Sequence, residues 1–331
     1  MKKYLVIGLG SMGKRRVRCL KALGIKQDNI YGMDVREDRC RNAKEKYGII
    51  IVDKEEEIDF DEVEGVIVSL PPDMHLMGVD IAVKHHKPVF VEASVILSDV
   101  KEIRERSRDI FVAPSCTFVF HPMIKEIKKI VKSGELGKVC NFSYHSGQYL
   151  PDWHPWENVK DFYVSNRMTG GAREIVPYEL TWITDVFGFP KDIKGYFRKT
   201  GNIGCNIEDS YASCLLYGDM VGTLLVDVVS RYPSRNLIIN FEHGQVQWRW
   251  DREQIEIYNA KTKERNYIKQ VQQKHENEYS AMIGEDMYIE EIVKFVQGMN
   301  NPALYPNTLE KDIEVLSLLE KIEISDGGFE R

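Results

Sequence analysis

The sequence predicts two domains: an α/β domain with a doubly wound parallel sheet, and an α+β domain with a mainly antiparallel open sheet. Short apolar runs alternate with helical periodicity over the first 120 residues, and a glycine-rich turn joins the first run to a helix. In the second half, strand-like runs follow one another with short turns between them. The length of 331 residues also favours two domains.

Composition excludes several classes of protein. The net charge of −6 argues against a nucleic-acid partner, which would require a basic face. No apolar run reaches the roughly 18 residues of a membrane span, so we expect a cytoplasmic protein with no membrane partner. The six cysteines form no C-x-x-C pair, and we expect them to be reduced thiols.

The first strand and helix flank a glycine-rich turn. The apolar run Lys3–Ile7 is followed directly by Gly8–Gly13 (GLGSMG) and then by the helical stretch Lys14–Leu23. Strand, G-x-G-x-x-G and helix in this order form the Rossmann fingerprint, in which the glycines allow a tight turn and close approach of a pyrophosphate. The helix N-terminus then offers N–H groups to the phosphates. The predicted phosphate-binding residues are Gly8, Gly10, Ser11, Met12 and Gly13.

An acidic residue ends the second strand. Asp34 follows Ile30–Met33 and is placed to accept hydrogen bonds from the adenosine ribose hydroxyls. It favours NAD, because it would repel a 2′-phosphate, while the nearby Arg36 and Arg15 leave NADP open as an alternative.

Further parallel strands are predicted at Ile49–Val52, Val66–Leu70, Val89–Val91 and Ile110–Val112. Ligands of doubly wound sheets lie beyond the carboxyl ends of the strands. Together with Asp34 and Arg36, the predicted cofactor contacts at these ends are Leu70, Pro71, His75 and Glu92.

Several segments point to one family. They are Gly8–Gly13, Ser69-Leu70-Pro71-Pro72 followed by His75, Phe120-His121-Pro122, the turn at residues 133–139, and Gly170-Gly171-Ala172. With these segments the chain resembles the Gfo/Idh/MocA family of sugar and inositol dehydrogenases over nearly its whole length. The resemblance implies NAD(P)-dependent hydride transfer to or from a hydroxyl or keto group of a sugar, sugar nucleotide or related polyol. It also implies a homo-oligomer, a dimer or a tetramer.

The resemblance also implies a domain division. Residues 1–120 are expected to form the dinucleotide-binding Rossmann domain and residues 121–305 the substrate-binding and oligomerisation domain. Residues 306–331 are expected to form a C-terminal helix that packs back near the first domain. Strands are predicted at Ile193–Phe197, Ser210–Leu216, Gly222–Val228, Leu237–Phe241 and Gln245–Trp250, with helices at Tyr279–Gln297 and Thr308–Ile322.

Two positions depart from the family pattern. The family typically has a lysine after the glutamate of the fifth strand, where this chain has Ala93. The family's Asp and the His that acts as general acid/base correspond in register to Ile175 and Tyr178. The resemblance is therefore to an atypical member, and another group must take the proton from a reacting hydroxyl.

The candidate catalytic residues are Tyr178, His121 and Glu174. A tyrosine can serve if a nearby cation lowers its pKa, and Arg173 and Lys125 are candidate cations. Glu174 and Tyr178 share a helix face at spacing i, i+4. Two structural roles remain open: an aromatic pair of Tyr178 with Trp182, and a helix cap for His121. Pro177 indicates a kink or a late helix start, which would leave residues 173–177 as a loop.

An aromatic segment at residues 149–157 suits a stiff loop that covers a ligand or, alternatively, buries its rings against another subunit. The predicted substrate contacts are Trp153, His154, Trp156, Arg167, Arg173 and Glu179. No regular ligand spacing predicts a metal site. Besides an oxidoreductase, two functions stay open: a sugar lyase or hydrolase that uses NAD with no net redox change, and a catalytically degenerate NAD-binding protein.

Overall fold

The computed structural model describes residues 2–153, 158–161, 163–270 and 284–328. The chain divides into two compact units, Met1–Phe120 with Glu285–Ile313, and His121–Gly284 with Glu314–Arg331. Residues 285–305, expected in the second domain, thus belong to the first unit. The final helix begins in the first unit and continues into the second.

The strands are β1 (Lys3–Ile7), β2 (Ile30–Met33), β3 (Ile50–Ile51), β4 (Val63–Val68), β5 (Val89–Val91), β6 (Val112–Pro114), β7 (Val139–Tyr149), β8 (Asp192–Arg198), β9 (Ser210–Leu216), β10 (Val221–Asp227), β11 (Val229–Phe241), β12 (Gly244–Arg249), β13 (Gln254–Asn259) and β14 (Arg265–Lys269). The α-helices are α1 (Ser11–Ala22), α2 (Glu37–Tyr47), α3 (His75–Lys84), α4 (Leu97–Arg106), α5 (Pro122–Ser133), α6 (Ala172–Phe187), α7 (Asp286–Gly298) and α8 (Leu309–Ser325).

The first unit contains a parallel sheet with strand order β3-β2-β1-β4-β5-β6. Its inner strands are apolar on both faces; Val66, Ile67 and Val68 are all fully buried. Uninterrupted burial is typical of a parallel sheet with helices on both sides. This strand order is that of the doubly wound nucleotide-binding fold, so the predicted fold class of the first domain is confirmed.

The second unit contains an eight-stranded sheet with order β14-β13-β12-β11-β7-β10-β9-β8. Its strands pair antiparallel except β7 and β10, which run parallel. Burial alternates along β8, β9 and β10, so this part of the sheet has one buried face and one exposed face. The predicted open, mainly antiparallel sheet is confirmed.

Helix α6 packs on the buried face of this sheet. Phe187 stacks on Phe142 with ring centroids 4.3 Å apart, and Trp182 meets Tyr144 edge-on at 5.0 Å. The helix begins at Ala172 and contains Pro177, so the expected loop over residues 173–177 is wrong. A proline inside a helix removes one backbone hydrogen bond, but the buried apolar side chains around it hold the helix on the sheet.

Among the described residues, no helix has the length and apolar character needed to cross a membrane.

Candidate functional site

The glycine turn in the first unit has a geometry that only glycine permits. Gly8 has a φ of +90°, a left-handed conformation that favours glycine. A Cβ on Gly13 would lie 1.7 Å from the Gly8 carbonyl oxygen, whereas a Cβ on Gly10 would meet its nearest atom, in Arg39, at 3.5 Å. Packing therefore requires glycine at position 13, whereas a Cβ at position 10 would make only ordinary van der Waals contacts.

Helix α1 starts directly after this turn, at Ser11 and Met12. It has no side-chain cap and no acidic residue in its first turn. The first N–H groups of a helix lack intrahelical partners and carry the positive end of its dipole. The helix start therefore suits an anionic ligand such as a pyrophosphate.

Asp34 lies beside the glycine turn, at the end of β2. Its Oδ2 accepts a hydrogen bond from the Leu9 N–H at 2.6 Å, and its Oδ1 accepts one from the Arg36 N–H at 2.9 Å. These bonds fix the carboxylate at the carboxyl end of the sheet, where the sequence predicted it. The exposed Arg36 side chain pairs with Asp38.

Arg39 is a basic residue near the glycine turn that the sequence analysis missed. Its Nη1 lies 3.7 Å from Asp34 Oδ2, and its guanidinium is the neighbour that a Cβ on Gly10 would meet. By contrast, Arg15 is buried in an ion pair with Glu285. Arg39 lies in the first turn of α2, five residues after Asp34 in the sequence. The course of the chain into α2 brings its side chain back to the glycine turn.

Glu92, at the end of β5, is held by a buried arginine. Arg16 is fully buried and donates from Nε to Glu92 Oε1 at 2.6 Å and from Nη2 to Glu92 Oε2 at 2.8 Å. Arg16 Nη1 also lies 2.8 Å from Glu291 Oε2, and burial raises the pKa of Glu291. The sequence did not predict this cluster, because Glu291 is nearly 200 residues from Glu92.

Ala93 therefore adjoins a glutamate that already has a cation. Ala93 carries no charge, and the cation beside Glu92 comes from Arg16 on α1. A bidentate arginine pair of this kind fixes a carboxylate more firmly than a flexible lysine would.

Leu70, Pro71 and His75 form the turn after β4. His75 is fully buried, and its Nε2 forms a hydrogen bond with the Leu70 carbonyl at 3.0 Å. Burial lowers the pKa of His75 to about 4, so its ring is neutral. His75 thus stabilises the turn after β4 through its hydrogen bond to the backbone of Leu70. Leu70 and Pro71 themselves are partly exposed.

In the second unit, Glu174 and Tyr178 lie on one stripe of α6. Both are half-buried, whereas Ile175 and Val176 point into the core. Thr181 continues the stripe. The i, i+4 placement predicted for Glu174 and Tyr178 is thus realised on an uninterrupted helix.

Glu174 has the properties of a proton-exchanging group. Its Oε1 accepts a hydrogen bond from the Tyr163 hydroxyl at 2.7 Å, while its buried Oε2 has no hydrogen-bond partner among the described residues. Burial raises the pKa of Glu174 from 4.5 to about 7. A carboxyl with a pKa near neutrality can both accept and donate a proton at physiological pH.

Glu179, expected to contact substrate, is fully buried instead. Its oxygens accept hydrogen bonds from Trp182 Nε1 at 2.7 Å, Ser146 Oγ at 2.8 Å, Tyr144 Oη at 2.9 Å and Arg235 Nε at 3.0 Å. Four donors satisfy a buried carboxylate. The expected substrate contact is therefore replaced by a role inside the protein, because Glu179 points to the sheet rather than along the Glu174 stripe.

His121 caps helix α5. Its Nδ1 accepts a hydrogen bond from the Met123 N–H at 3.3 Å, and its ring lies 5.6 Å from that of Trp248. Burial and the charge of Arg235 lower the pKa of His121 to about 3. The capping role left open by the sequence is present, and a ring this reluctant to take a proton is a poor general base.

Two arginines expected to bind substrate are paired within the protein. Arg173 is buried and donates from Nε to Glu323 Oε1 at 2.8 Å. Arg167 donates from Nε to Glu208 at 2.8 Å. Each of these two arginines pairs with a carboxylate from a distant part of the same chain.

Trp153 is the described part of the predicted substrate loop. It is half-buried, and its buried Nε1 has no hydrogen-bond partner among the described residues. His154 and Trp156 lie outside the described residues. Within the described ranges, no cluster of three His, Cys, Asp or Glu side chains is arranged to hold a metal ion.

Residues 124–247 match the model of the GFO/IDH/MocA C-terminal domain. The chain is 34% identical over 140 residues to myo-inositol 2-dehydrogenase of Thermotoga maritima, covering 40% of this chain and 41% of that protein. The chain thus matches about two fifths of the length of this curated relative.

Two solved structures share the fold over almost the whole chain. An oxidoreductase from Agrobacterium radiobacter in complex with NAD+, L-tartaric acid and magnesium superposes with a TM-score of 0.84 and 13% identity, covering 98% of this chain and 96% of that one. A levoglucosan dehydrogenase in complex with NADH and levoglucosan gives 0.81 and 13%, with 99% and 98% covered. At these identities the likeness shows the fold.

Proposed function

We propose that this chain, whose residues 124–247 match the model of the GFO/IDH/MocA C-terminal domain, is an NAD(P)-dependent oxidoreductase of sugars, sugar nucleotides or related polyols. The observation that carries the proposal is the glycine turn, in which a Cβ on Gly13 would lie 1.7 Å from the Gly8 carbonyl oxygen. The match to an inositol dehydrogenase and the fold shared with a levoglucosan dehydrogenase support hydroxylated substrates.

The first unit has the residues that a dinucleotide needs. Gly8, Gly10 and the start of α1 would hold the pyrophosphate, and Asp34 would accept from the ribose hydroxyls. When bound, the nicotinamide supplies the hydride acceptor or donor. Asp34 favours NAD, and Arg39 beside it offers a cation to a 2′-phosphate, so we propose NAD as the main cofactor with NADP tolerated.

The second unit supplies the proton-exchanging group. We assign this role to the carboxyl of Glu174, which would take the proton when a substrate hydroxyl is oxidised and return it in the reverse direction. Tyr178, one helical turn further on, would donate to the substrate oxygen. Together they would replace the histidine and lysine of the family pattern, while His121 keeps its structural role.

The exposed sheet face supports a homo-oligomer. Tyr196, Leu216, Val221 and Leu225 present apolar surface on this face, each more than one third exposed. Apolar patches of this kind are typical of protein interfaces. We propose that a second copy of the chain covers them.

The proposal is tested by offering the purified protein a panel of polyols, sugars and nucleotide sugars with NAD or NADP, while recording both NADH absorbance and product mass. Product formed together with reduced cofactor is the expected result, and Glu174→Gln should lower kcat about 100-fold or more. The matched control is the exposed Glu135→Gln, which should leave kcat unchanged.

Other outcomes separate the alternatives. Product without net NADH would point to a lyase or hydrolase that uses the cofactor transiently. Cofactor binding with no product across the panel would contradict the proposed activity and leave a cofactor-binding protein.

A further inference from the structure

We propose that Tyr163 is a positioning residue of the proton-exchanging site, whose hydroxyl orients the Glu174 carboxyl and favours its ionised form. This inference rests on the proposed function, because it concerns the group assigned there to take the proton. Sequence reasoning did not single out Tyr163, since it lies 11 residues before Glu174 and outside helix α6.

A short hydrogen bond joins the two side chains. The Tyr163 hydroxyl donates to Glu174 Oε1 at 2.7 Å. Glu174 lies in the first turn of α6, and Tyr163 lies in the short helical turn Tyr163–Ser165 that precedes the helix. An ionised carboxylate only accepts hydrogen bonds, and bonds to a charged acceptor are the stronger ones. The bond therefore fixes one oxygen of Glu174 and is strongest when the carboxyl has lost its proton.

The backbone of Tyr163 is held by its own loop. Its carbonyl oxygen accepts a hydrogen bond from the Asn166 N–H at 3.0 Å and another from Thr169 Oγ1 at 3.4 Å. The Gly170 N–H donates to the Asn166 carbonyl oxygen at 2.9 Å. The half-buried Tyr163 side chain thus projects from a fixed backbone, which restricts where its hydroxyl can lie.

Gly170 allows this loop to pack closely on itself. A Cβ on Gly170 would lie 2.2 Å from both the Cα and the carbonyl oxygen of Val164, the buried residue that follows Tyr163. Only glycine permits so close an approach of two backbone segments. The first glycine of the Gly170-Gly171 pair is therefore required by the loop that carries Tyr163.

Two opposing influences set the acidity of Glu174. Burial raises its pKa, the hydrogen bond from Tyr163 lowers it, and the resulting value is about 7. Among the described residues, no charged side chain adds to these two influences. A donor to the ionised form lowers the pKa of a carboxyl, so losing the hydroxyl should raise that of Glu174 further.

The other charged and titratable side chains near the start of α6 are paired with one another or exposed. Arg173 pairs with Glu323, and Arg167 pairs with Glu208. The remaining ones are Tyr178 on α6, Tyr211 on β9, which donates to Glu323, and the exposed Lys160 and Asp161 of the preceding turn. The hydrogen bond from Tyr163 is therefore the polar contact through which the acidity of Glu174 can be tested.

The test follows the protonation of Glu174 directly, by NMR of protein labelled with 13C at the glutamate Cδ, between pH 5 and pH 10. The Glu174 signal is identified as the one that Glu174→Gln removes. In Tyr163→Phe we expect its midpoint to rise by about one pH unit, because the ionised carboxyl loses a donor. The hydroxyl of 3-fluorotyrosine is more acidic and a stronger donor, so this residue at position 163 should lower the midpoint.

Controls separate the hydrogen bond from general effects on the fold. Tyr232→Phe removes the hydroxyl of an exposed tyrosine of the same unit and should leave the midpoint unchanged. Tyr163→Phe keeps the ring, and urea denaturation shows whether the variant is folded. If it does not fold, the fluorotyrosine protein decides, because it differs from wild type by a single ring substituent.

An unchanged or lowered midpoint in folded Tyr163→Phe overturns the proposal, and so does a fluorotyrosine protein whose midpoint does not fall. The titration needs no substrate. A shifted midpoint together with an inactive substrate panel would contradict the oxidoreductase and keep the role of Tyr163, whereas turnover with an unchanged midpoint would do the reverse. With an active substrate, the pH at which kcat for oxidation is half-maximal should rise together with the NMR midpoint, because the base must be ionised.

Discussion

Replacing Glu174 by glutamine should change how the stability of the protein depends on pH. Burial raises the pKa of Glu174 to about 7 in the folded chain, against 4.5 when the group is solvated. The folded state therefore binds the proton more tightly than the unfolded state. Its contribution to stability is full below about pH 4.5 and is lost as the pH rises through 7.

The magnitude follows from the difference between these two pKa values. Each tenfold change in proton affinity corresponds to about 1.4 kcal/mol, so ionised Glu174 costs the folded state about 3 kcal/mol in total. Most of this cost arises between pH 5 and pH 8. Relative to wild type, Glu174→Gln should gain about 2–3 kcal/mol in the free energy of unfolding over that interval.

Urea denaturation followed by tryptophan fluorescence at pH 5, 6, 7 and 8 measures this difference. Any constant cost of the new amide cancels, because only the change with pH is compared. Glu135→Gln is the control for an exposed glutamate and should run parallel to wild type. Parallel curves for wild type and Glu174→Gln would refute the reasoning.

Three further predictions concern the glycine turn, cofactor choice and assembly. Gly13→Ala should lower the melting temperature, because its Cβ would lie 1.7 Å from a backbone oxygen. Gly10→Ala should leave the melting temperature unchanged but weaken NADH binding at least about tenfold in a fluorescence titration. Equal melting temperatures for the two variants would contradict this prediction. Arg39→Ala should weaken NADPH binding about tenfold and NADH binding much less, and an unchanged ratio of the two dissociation constants would argue against a role for Arg39. Leu225→Glu should reduce the mass measured by light scattering to that of a monomer, since a charge on a covered apolar face is costly; an unchanged oligomer would show that the interface lies elsewhere.

Local sequence patterns determined much of the first unit. The predicted bounds of Lys3–Ile7, Ile30–Met33 and Val89–Val91 coincide with β1, β2 and β5. Strands of a parallel sheet are short apolar runs, so their pattern is visible within a few residues. The glycine turn is equally local, because its backbone conformation requires glycine at fixed spacings.

Helix α6 shows how a local rule can mislead. Pro177 predicted a kink or a late helix start that would leave residues 173–177 as a loop, yet the helix runs from Ala172 to Phe187. The lost hydrogen bond affects only α6 itself. The packing that stabilises α6 depends on sheet residues that come from elsewhere in the chain, so the local sequence does not show it.

The partners of charged residues were beyond the reach of the sequence. Glu179, Arg173 and Arg167 each have the chemistry of a ligand contact, and each is paired inside the protein. The local sequence does not distinguish an arginine that binds substrate from an arginine that pairs with a carboxylate 150 residues away, as Arg173 does with Glu323.

The sequence by itself determined the glycine turn between β1 and α1 and the absence of a lysine at Ala93 and of a histidine at Tyr178. Only the tertiary structure placed Arg16 against Glu92, and Arg235 against Glu179. The physical reason is range. Backbone conformation is set by neighbouring residues, whereas burial and Coulomb forces act between groups that only the folded chain brings together.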